Sequence, residues 1–338
     1  MKTSNFFWKF AKNKKSEKNP AFFMFKYYAM NQLTKGIIYV ALGASSFGML
    51  ASFVKLAYKS GYSTAEVTLS QFILGIIIIS ILLAITAKSK LEKASSKNIK
   101  QLMLSGTTMG FTSVLYYLCV KYISASVAVV LLMQSVWIGV VIEMIQTKKI
   151  PSVTKIVAVL IVLVGTVLAT NILSNTVKLD FIGLVFGVLA SISFSLTLFT
   201  TNSVATHLHP FKRSLYMLLG GICIVLLFSF ITQIAPTYLN LNILGATDIV
   251  TIKPINFTIF FTYGIILSLF GTVLPPIFLN KGFPLTGVGL GSIVSALELP
   301  VSVTFAYFML AENVILSQWL GIILILIAII IMNIKFKK

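Results

Sequence analysis

The sequence predicts an all-α polytopic membrane protein with ten transmembrane helices, arranged as two inverted five-helix repeats. Apolar residues make up 57% of the 338 residues and charged residues only 10%, against about 45–50% and about 25% in an ordinary soluble domain. The strands of a membrane β-barrel alternate apolar and polar residues with a period of two. The apolar runs of this sequence, such as 69–87 and 322–332, show no such alternation. A soluble domain and a barrel are therefore both excluded, and internal repeats, described below, predict the inverted arrangement.

Ten stretches have the length and hydropathy of a membrane crossing. Their predicted bounds are 36–57, 65–87, 101–121, 124–145, 153–171, 181–202, 211–232, 257–279, 284–309 and 316–334. Each is expected to form a helix, because a helix satisfies its own backbone hydrogen bonds in lipid.

The basic residues indicate the orientation of the chain in the membrane. The sequence has 26 lysines and one arginine against eight acids, which gives a net charge of +19. When the predicted loops alternate between two membrane faces, 22 of the 27 basic residues fall on the face that holds both termini. The positive-inside rule places this face on the cytoplasmic side of the membrane, which we expect to be a bacterial inner membrane with anionic lipid headgroups. Nucleic-acid binding is not expected, since the lysines lie in tails and loops.

Residues 1–34 form a basic tail with scattered aromatic residues, and they lack the apolar core and cleavage site of a signal peptide. Three interpretations stay open. The tail is an interfacial anchor, a disordered extension, or a stretch upstream of a true start at Met24 or Met30.

Internal similarity divides the rest of the chain into two halves. At one fixed offset, four residues of the first crossing coincide with identical residues of the sixth: Gly36, Leu42, Ser46 and Phe47 with Gly183, Leu189, Ser193 and Phe194. Lys121 falls opposite Lys281, and 158–165 resembles 321–328. We therefore assign 35–172 to a first repeat and 173–338 to a second repeat with a short basic C-terminal tail. An odd number of crossings per repeat inverts the second half relative to the first, as in many secondary transporters.

The five-plus-five layout carries a family resemblance near its end. Residues 297–300, Leu-Glu-Leu-Pro, followed by Ala311–Glu312 and Leu320–Gly321, resemble the EamA-like branch of the drug/metabolite transporter superfamily, over about residues 35–334. In the first half, 134–138 lacks the corresponding proline and Lys148–Lys149 replaces the acidic ending. The resemblance implies a transporter of small organic metabolites, often exported and often amino-acid-like, that works between two five-helix bundles.

Glu298 is the main candidate for a functional side chain, because it lies near the middle of the ninth predicted crossing. An ionisable group at this depth costs about 2.5–3.5 kcal/mol on insertion scales unless it faces protein or water. Two interpretations follow. Glu298 binds a substrate amine or couples protons, or it bonds backbone groups that Pro300 leaves free.

Prolines and glycines predict bends in the second half. Pro275 and Pro276 lie in the eighth crossing and Pro300 in the ninth, while Gly271 opens a possible hinge before the two prolines. Discontinuous helices expose backbone groups to substrates in transporters. The alternative is that these residues only let tilted helices pack closely.

Polar and aromatic residues in other crossings complete the predicted substrate site. The sixth crossing is rich in hydroxyls, of which Ser193 and Thr197 share one face and Ser191 and Ser195 another, so at most one set lines a pathway. Further candidates for substrate contact are Tyr116, Gln134, Trp137 and Ser295. Packing between helices is the alternative role for each of them.

Several functional classes find no support in the sequence. His207 and His209 lack a third ligand, and Cys119 and Cys223 have no metal-ligand spacing, so no metal site and no cofactor are expected. Lys55, Glu66 and Glu143 lie near helix ends, where their side chains are expected to reach the membrane interface. The sequence contains no phosphate loop or nucleophile elbow, so primary active transport by this chain alone is not expected. An intramembrane enzyme is a further class to consider, but it would need several acidic or His residues at one membrane depth, where Glu298 stands alone, so the chain is not expected to be an enzyme.

The function predicted from the sequence is secondary transport of small organic metabolites such as amino acids, with export as the direction. Alternating access would occur around a midplane cavity between the first, third, fourth, sixth, eighth and ninth crossings, and a monomer suffices because the chain contains its own pseudo-symmetric partner. The alternatives are an intramembrane scaffold without transport and an importer of a nucleoside- or sugar-like metabolite.

Overall fold

The computed structural model describes residues 20–86, 92–123, 125–170, 180–245, 247–310 and 315–333, and every regular element in these ranges is helical. The α-helices are α1 (Pro20–Lys59), α2 (Thr64–Thr86), α3 (Ser96–Tyr122), α4 (Ala125–Leu132), α5 (Ser135–Thr147), α6 (Val153–Thr170), α7 (Phe181–Ser203), α8 (Pro210–Ser229), α9 (Ala235–Tyr238), α10 (Tyr263–Ser268), α11 (Leu274–Thr286), α12 (Val288–Ser295), α13 (Glu298–Leu310) and α14 (Leu316–Asn333). π-helical turns at Phe230–Ile234 and Leu269–Val273 join α8 to α9 and α10 to α11.

Within these ranges, eight helical stretches are long and apolar enough to cross a membrane: Gln32–Lys59, Thr64–Thr86, Ser96–Tyr122, Val127–Thr147, Phe181–Ser203, Pro210–Tyr238, Tyr263–Thr286 and Val288–Leu310. Two shorter apolar helices, Val153–Leu168 and Leu316–Ala328, occupy the fifth and tenth predicted crossings. The all-helical, multi-pass character of the chain is thus confirmed, while the count of ten crossings stays a prediction. The predicted start of the eighth crossing, 257, is too early, because Phe257–Phe261 forms a 3₁₀ turn before α10.

The two halves repeat the same helix break in their fourth crossing. Adding 163 to the bounds of α4 and α5 gives the bounds of α12 and α13, so both crossings consist of eight helical residues, a two-residue turn and thirteen helical residues. Pro300 lies just after the break in the second half, whereas the first half forms the break without a proline. The missing proline therefore does not remove this feature from the first half.

The helix packing shows the same correspondence between the halves. α3 packs on α7, and α1 packs on α11. These two contacts are equivalent, because the third crossing corresponds to the eighth and the sixth crossing corresponds to the first. Three further contacts, α2 with α8, α5 with α12 and α6 with α14, join equivalent crossings of the two halves. The interface between the halves is therefore built from pseudo-symmetric pairs, as expected for an inverted repeat.

Glycines allow α3 and α8 to cross at close range. A Cβ atom at Gly220 would overlap the backbone carbonyl of Met103, and a Cβ atom at Gly106 would overlap that of Met217. Small residues at helix contacts allow this approach in membrane proteins. The contact holds together the helices that form one wall of the cavity described below.

Contacts between loops define the two ends of the helical bundle. At one end, which we call the Lys253 end, Lys253 Nζ donates to the Gly61 carbonyl at 2.5 Å. At the other, the His207 end, the side chains of Asn98 and His207 are hydrogen-bonded at 3.1 Å.

His209 caps the first turn of α8 at the His207 end. Its Nδ1 accepts the backbone N–H of Phe211 at 3.4 Å. Partial burial lowers the pKa of His209 below its ordinary value, and the charges of Lys281 and Lys212 lower it further.

This geometry predicts a pH-dependent contribution to stability. Because the pKa is lowered on folding, the unfolded chain binds the proton more readily, so the contribution is present above about pH 6.5 and is lost as the pH falls through the folded pKa. We expect the Tm in detergent to decrease between pH 7 and pH 5. His209→Asn keeps a capping acceptor that does not titrate and should reduce this slope. A variant with the wild-type slope would contradict the assignment.

Candidate functional site

A cavity lies in the middle of the bundle, and side chains from both halves line it. Its lining comes from the first, third, fourth, sixth, eighth and ninth crossings, as the sequence predicts. The seventh crossing adds one residue, Met217. The cavity has a volume of ≈ 50 Å³, which is room for only a few water molecules. An organic solute therefore requires the surrounding helices to move apart.

Glu298 contributes the carboxyl group of this cavity. It is the first residue of α13, directly after the break at 296–297, and is only 2% exposed. Its Oε2 is buried and has no hydrogen-bond partner among the described residues. This oxygen consequently does not bond the backbone groups near Pro300, which the second interpretation of Glu298 requires.

Two other polar side chains of the lining also carry a buried atom without a hydrogen-bond partner. The Tyr116 hydroxyl on α3 and Asn280 Oδ1 on α11 are buried, and neither is hydrogen-bonded within the described ranges. Asn280 is held in place from its other side, because its Nδ2 donates to Ser214 Oγ at 2.9 Å. Three helices therefore direct polar groups to one cavity without satisfying them internally.

Of the sixth-crossing hydroxyls predicted to contact substrate, Thr197 is the one that lines the cavity. Its Oγ1 is 2.8 Å from Thr108 Oγ1, and Ser193 donates to the Thr108 carbonyl at 2.8 Å. Ser191 and Ser195 on the other face bond carbonyls of their own helix. Thr197 thus lines the cavity, while Ser193 joins α7 to α3.

Aromatic rings form much of the remaining wall. Phe47 of α1 and Phe194 of α7, which occupy equivalent positions in the two repeats, meet edge to face with centroids 5.8 Å apart. The Tyr116 and Tyr117 rings lie 6.0 Å apart, and the Tyr117 hydroxyl donates to Gln71 Oε1. The cavity is therefore an apolar, aromatic chamber with a few polar groups.

The other predicted contact residues are not among the described lining residues. Trp137 is 41% exposed on the surface of the bundle, and its Nε1 donates to Gln134 Oε1 at 2.9 Å. Ser295 donates to the Gly291 carbonyl of its own helix at 2.9 Å.

The predicted hinge residues lie next to the cavity but in different settings. Gly271 lies in the π-helical turn Leu269–Val273, and both Gly271 and Pro276 line the cavity. Pro275 and Pro300 are buried in the first turns of α11 and α13. The eighth and ninth crossings are therefore irregular where they meet the chamber, as the prolines predict.

Arg213 is a buried cation next to the cavity. It is one of the 22 basic residues that the charge count places on the face with both termini, but its side chain is 0% exposed in the first turn of α8 rather than at the surface. Its guanidinium donates to the carbonyl of Asn280 at 2.8 Å and to that of Thr201. Both acceptors belong to residues of the lining, so Arg213 joins three helices at the His207 side of the chamber.

Glu66 also departs from the prediction that it reaches the membrane interface. It is 1% exposed at the Lys253 end. Its carboxylate accepts from the Ser63 N–H at 2.7 Å, the Asn256 N–H at 2.8 Å and Gln233 Nε2 at 3.2 Å, and it pairs with Lys253 Nζ at 3.1 Å. These four donors offset the cost of burying the charge.

The remaining ionisable candidates are not part of the cavity. Glu143 and Lys155 form an ion pair at 2.5 Å between α5 and α6. Lys55 is half-buried on α1. In the described ranges, no three His, Cys, Asp or Glu side chains are grouped so that they could hold a metal ion. Glu312 and residues 1–19 lie outside the described residues.

Sequence reasoning missed several residues of the lining. Asn280 is the most informative, because an amide four residues after Pro276 in an apolar helix falls on the same helix face. Thr112, Ser113 and Thr201 carry hydroxyls of the kind that also mediate ordinary helix packing, and no pattern distinguishes them in advance.

Comparison with known proteins identifies the family. A model of the EamA-like transporter family matches residues 34–171 and again residues 181–334. The chain belongs to the EamA-like transporter family. Its two matches correspond to the two repeats, so this EamA-like protein is a multi-pass membrane transporter of the drug/metabolite type rather than an enzyme.

The fold has a solved counterpart. The crystal structure of another protein superposes on the EamA-like chain with a TM-score of 0.63 at 12% identity, over 86% of this chain and 97% of that chain. At this identity the likeness supports the fold alone. Among curated proteins, no sequence match was found.

Proposed function

We propose that this EamA-like protein is a secondary transporter that exports small organic metabolites bearing an amino group, amino acids among them, from a bacterial cytoplasm. The observation that carries the proposal is the buried Glu298 Oε2, which has no hydrogen-bond partner among the described residues, at a central cavity between the two repeats. A carboxylate in such a site is a natural partner for a substrate amine.

The shape of the cavity supports alternating access as the mechanism. The chamber admits only a few water molecules, and its walls are helices interrupted by the π turn at Leu269–Val273 and the breaks before Ser135 and Glu298. Such interruptions allow one part of a helix to move relative to the other. Rocking of one repeat against the other would open the chamber to each face in turn.

The orientation and partners follow from the charge distribution. We propose that the basic His207 end faces the cytoplasm and the anionic lipid headgroups of the inner membrane, with the protein acting as a monomer. A scaffold without transport is less well supported, because packing alone does not account for three polar groups left unsatisfied at one cavity.

A solute screen on two tryptophan variants tests whether the cavity is the binding site. Ser113→Trp fills the cavity, whereas Leu104→Trp places the same side chain on the exposed face of the same helix. We expect an amine-bearing solute to raise the Tm of the wild type and of Leu104→Trp but not of Ser113→Trp, because only the native state with an open cavity binds it. The panel includes amino acids, nucleosides, sugars and organic cations.

Two outcomes would contradict the proposal. Equal stabilisation of Ser113→Trp would place the binding site elsewhere. A lack of flux for every solute class in proteoliposomes, with protein that unfolds cooperatively, would support the scaffold instead.

A further inference from the structure

The three unpartnered atoms of the cavity share one chemical property. Each can accept a hydrogen bond: Glu298 Oε2 and Asn280 Oδ1 are acceptors, and the Tyr116 hydroxyl accepts as well as donates. The residues that carry them are 2%, 3% and 6% exposed. Apart from Arg213, the other side chains with such atoms in the described part of the chain are serines outside the lining. Buried polar atoms are nearly always hydrogen-bonded in folded proteins, so this concentration of acceptors indicates a site for a donor.

A primary ammonium group has the matching donors. It offers three N–H bonds and no acceptor, and a carboxylate and an amide oxygen can only accept. On the basis of the proposed transport function, we propose that the cavity selects a primary amine, held by Glu298, Asn280 and Tyr116 from three different helices. Each acceptor would then receive one N–H bond.

The charges around the cavity argue against a substrate carboxylate. Of the residues that line the described cavity, Glu298 is the acid and none is Lys, Arg or His. The nearest buried cation, Arg213, donates to the carbonyls of Thr201 and Asn280. A zwitterionic amino acid would bring a carboxylate without a cationic partner, which is costly in a buried site. The inference therefore narrows the proposed metabolites to amines that lack a carboxylate.

The walls of the cavity define the body of the amine. Phe47, Phe194, Tyr116 and Tyr117 surround the chamber with aromatic rings, and Leu50 and Leu132 add aliphatic surface. Aromatic faces attract a cation within about 6 Å and bury apolar groups. The ligand class is consequently a small primary amine with an apolar or aromatic body.

A series of four related ligands separates these features. The probes are 2-phenylethylamine, its N,N,N-trimethyl derivative, 2-phenylethanol and phenylalanine, titrated calorimetrically into the full-length protein in detergent. We expect 2-phenylethylamine to bind at least tenfold more tightly than each of the others, because they lack the N–H donors, lack the charge or add a carboxylate, respectively.

Isosteric variants test the individual acceptors. Glu298→Gln should weaken 2-phenylethylamine binding by at least tenfold, and Tyr116→Phe by about three- to tenfold, as expected for charged and neutral hydrogen bonds. Ser229→Ala is the matched control for Tyr116→Phe, since it also removes a buried unpartnered hydroxyl but lies outside the lining. It should leave the affinity unchanged.

The outcomes distinguish this inference from the proposed function. The selection for a primary ammonium would be overturned if phenylalanine, 2-phenylethanol or the trimethyl derivative bound as tightly as 2-phenylethylamine. If the ligand that bound so tightly were also transported in proteoliposomes, the proposed transport function would still stand. Equal affinities of Tyr116→Phe and Ser229→Ala for 2-phenylethylamine would overturn the three-acceptor site.

Discussion

Glu298→Gln should reduce the transport of an amine-bearing solute in proteoliposomes by about 10- to 100-fold, the largest functional effect that the structure predicts. The substitution keeps the size of the side chain but removes its charge. A hydrogen bond to a charged group contributes about 1.5–3 kcal/mol, and at a buried, unpartnered oxygen such as Glu298 Oε2 little else replaces it. The measurement is the initial rate of radiolabelled solute counterflow at matched protein content.

The equivalent position in the first repeat provides the control. Ser135 begins α5 as Glu298 begins α13, but it is not among the described lining residues. Ser135→Ala should therefore leave the rate within twofold of wild type. Unchanged flux in Glu298→Gln across pH 5–8 would show that the carboxyl has only a structural role.

The sequence alone predicts the helical crossings because their signal is local. Long apolar runs require helices in lipid, and the fixed offset between Gly36 and Gly183 reveals the duplication. Glu298 is predicted for a related reason, since the membrane centre makes any acid conspicuous. Helix positions, the family and the crossings that surround the cavity follow from such local rules.

The direction in which an individual side chain points from its helix is not predictable in the same way. Trp137 lies on α5 just after the break at 133–134, and its ring is 41% exposed and is not among the described lining residues. Ser295 is predicted from the sequence to contact substrate and Asn280 is not, yet Asn280 is the one among the described lining residues. Helix rotation depends on contacts with distant helices, and hydropathy does not encode it.

Buried charges near the helix ends show the same limit. Glu66 and Arg213 are 147 residues apart, the offset that aligns Gly36 with Gly183, and each lies in the first turn of the second crossing of its repeat. The structure buries both, one at the Lys253 end and one at the His207 end. Rules based on distance from the helix end place them at the surface, because those rules do not include the donors and acceptors of neighbouring helices.

Arg213→Met should destabilise the protein by about 2–4 kcal/mol, the largest effect on stability that we expect from a single substitution. The change leaves the carbonyls of Thr201 and Asn280 without their guanidinium donor, and each unsatisfied buried group costs about 1–3 kcal/mol. Arg213→Lys should not restore the wild-type value, because a single ammonium on a shorter stem lacks the planar fork that bridges two acceptors. Thermal and denaturant unfolding in detergent measure both variants.

A variant of the adjacent Lys212 separates the structural role of Arg213 from the effect of its positive charge on membrane topology. Lys212 lies beside Arg213 but is only half-buried, and its Nζ donates to the Glu92 carbonyl at 2.6 Å. Lys212→Met removes the same charge from the same helical turn, and a change at such a partly exposed side chain alters stability by no more than about 0.5 kcal/mol. Equal losses in the two methionine variants would mean that Arg213 acts only as one more positive charge at the membrane face. A loss confined to Arg213 would show that the buried guanidinium holds α7, α8 and α11 together beside the cavity, which ties the stability of the fold to the shape of the transport site.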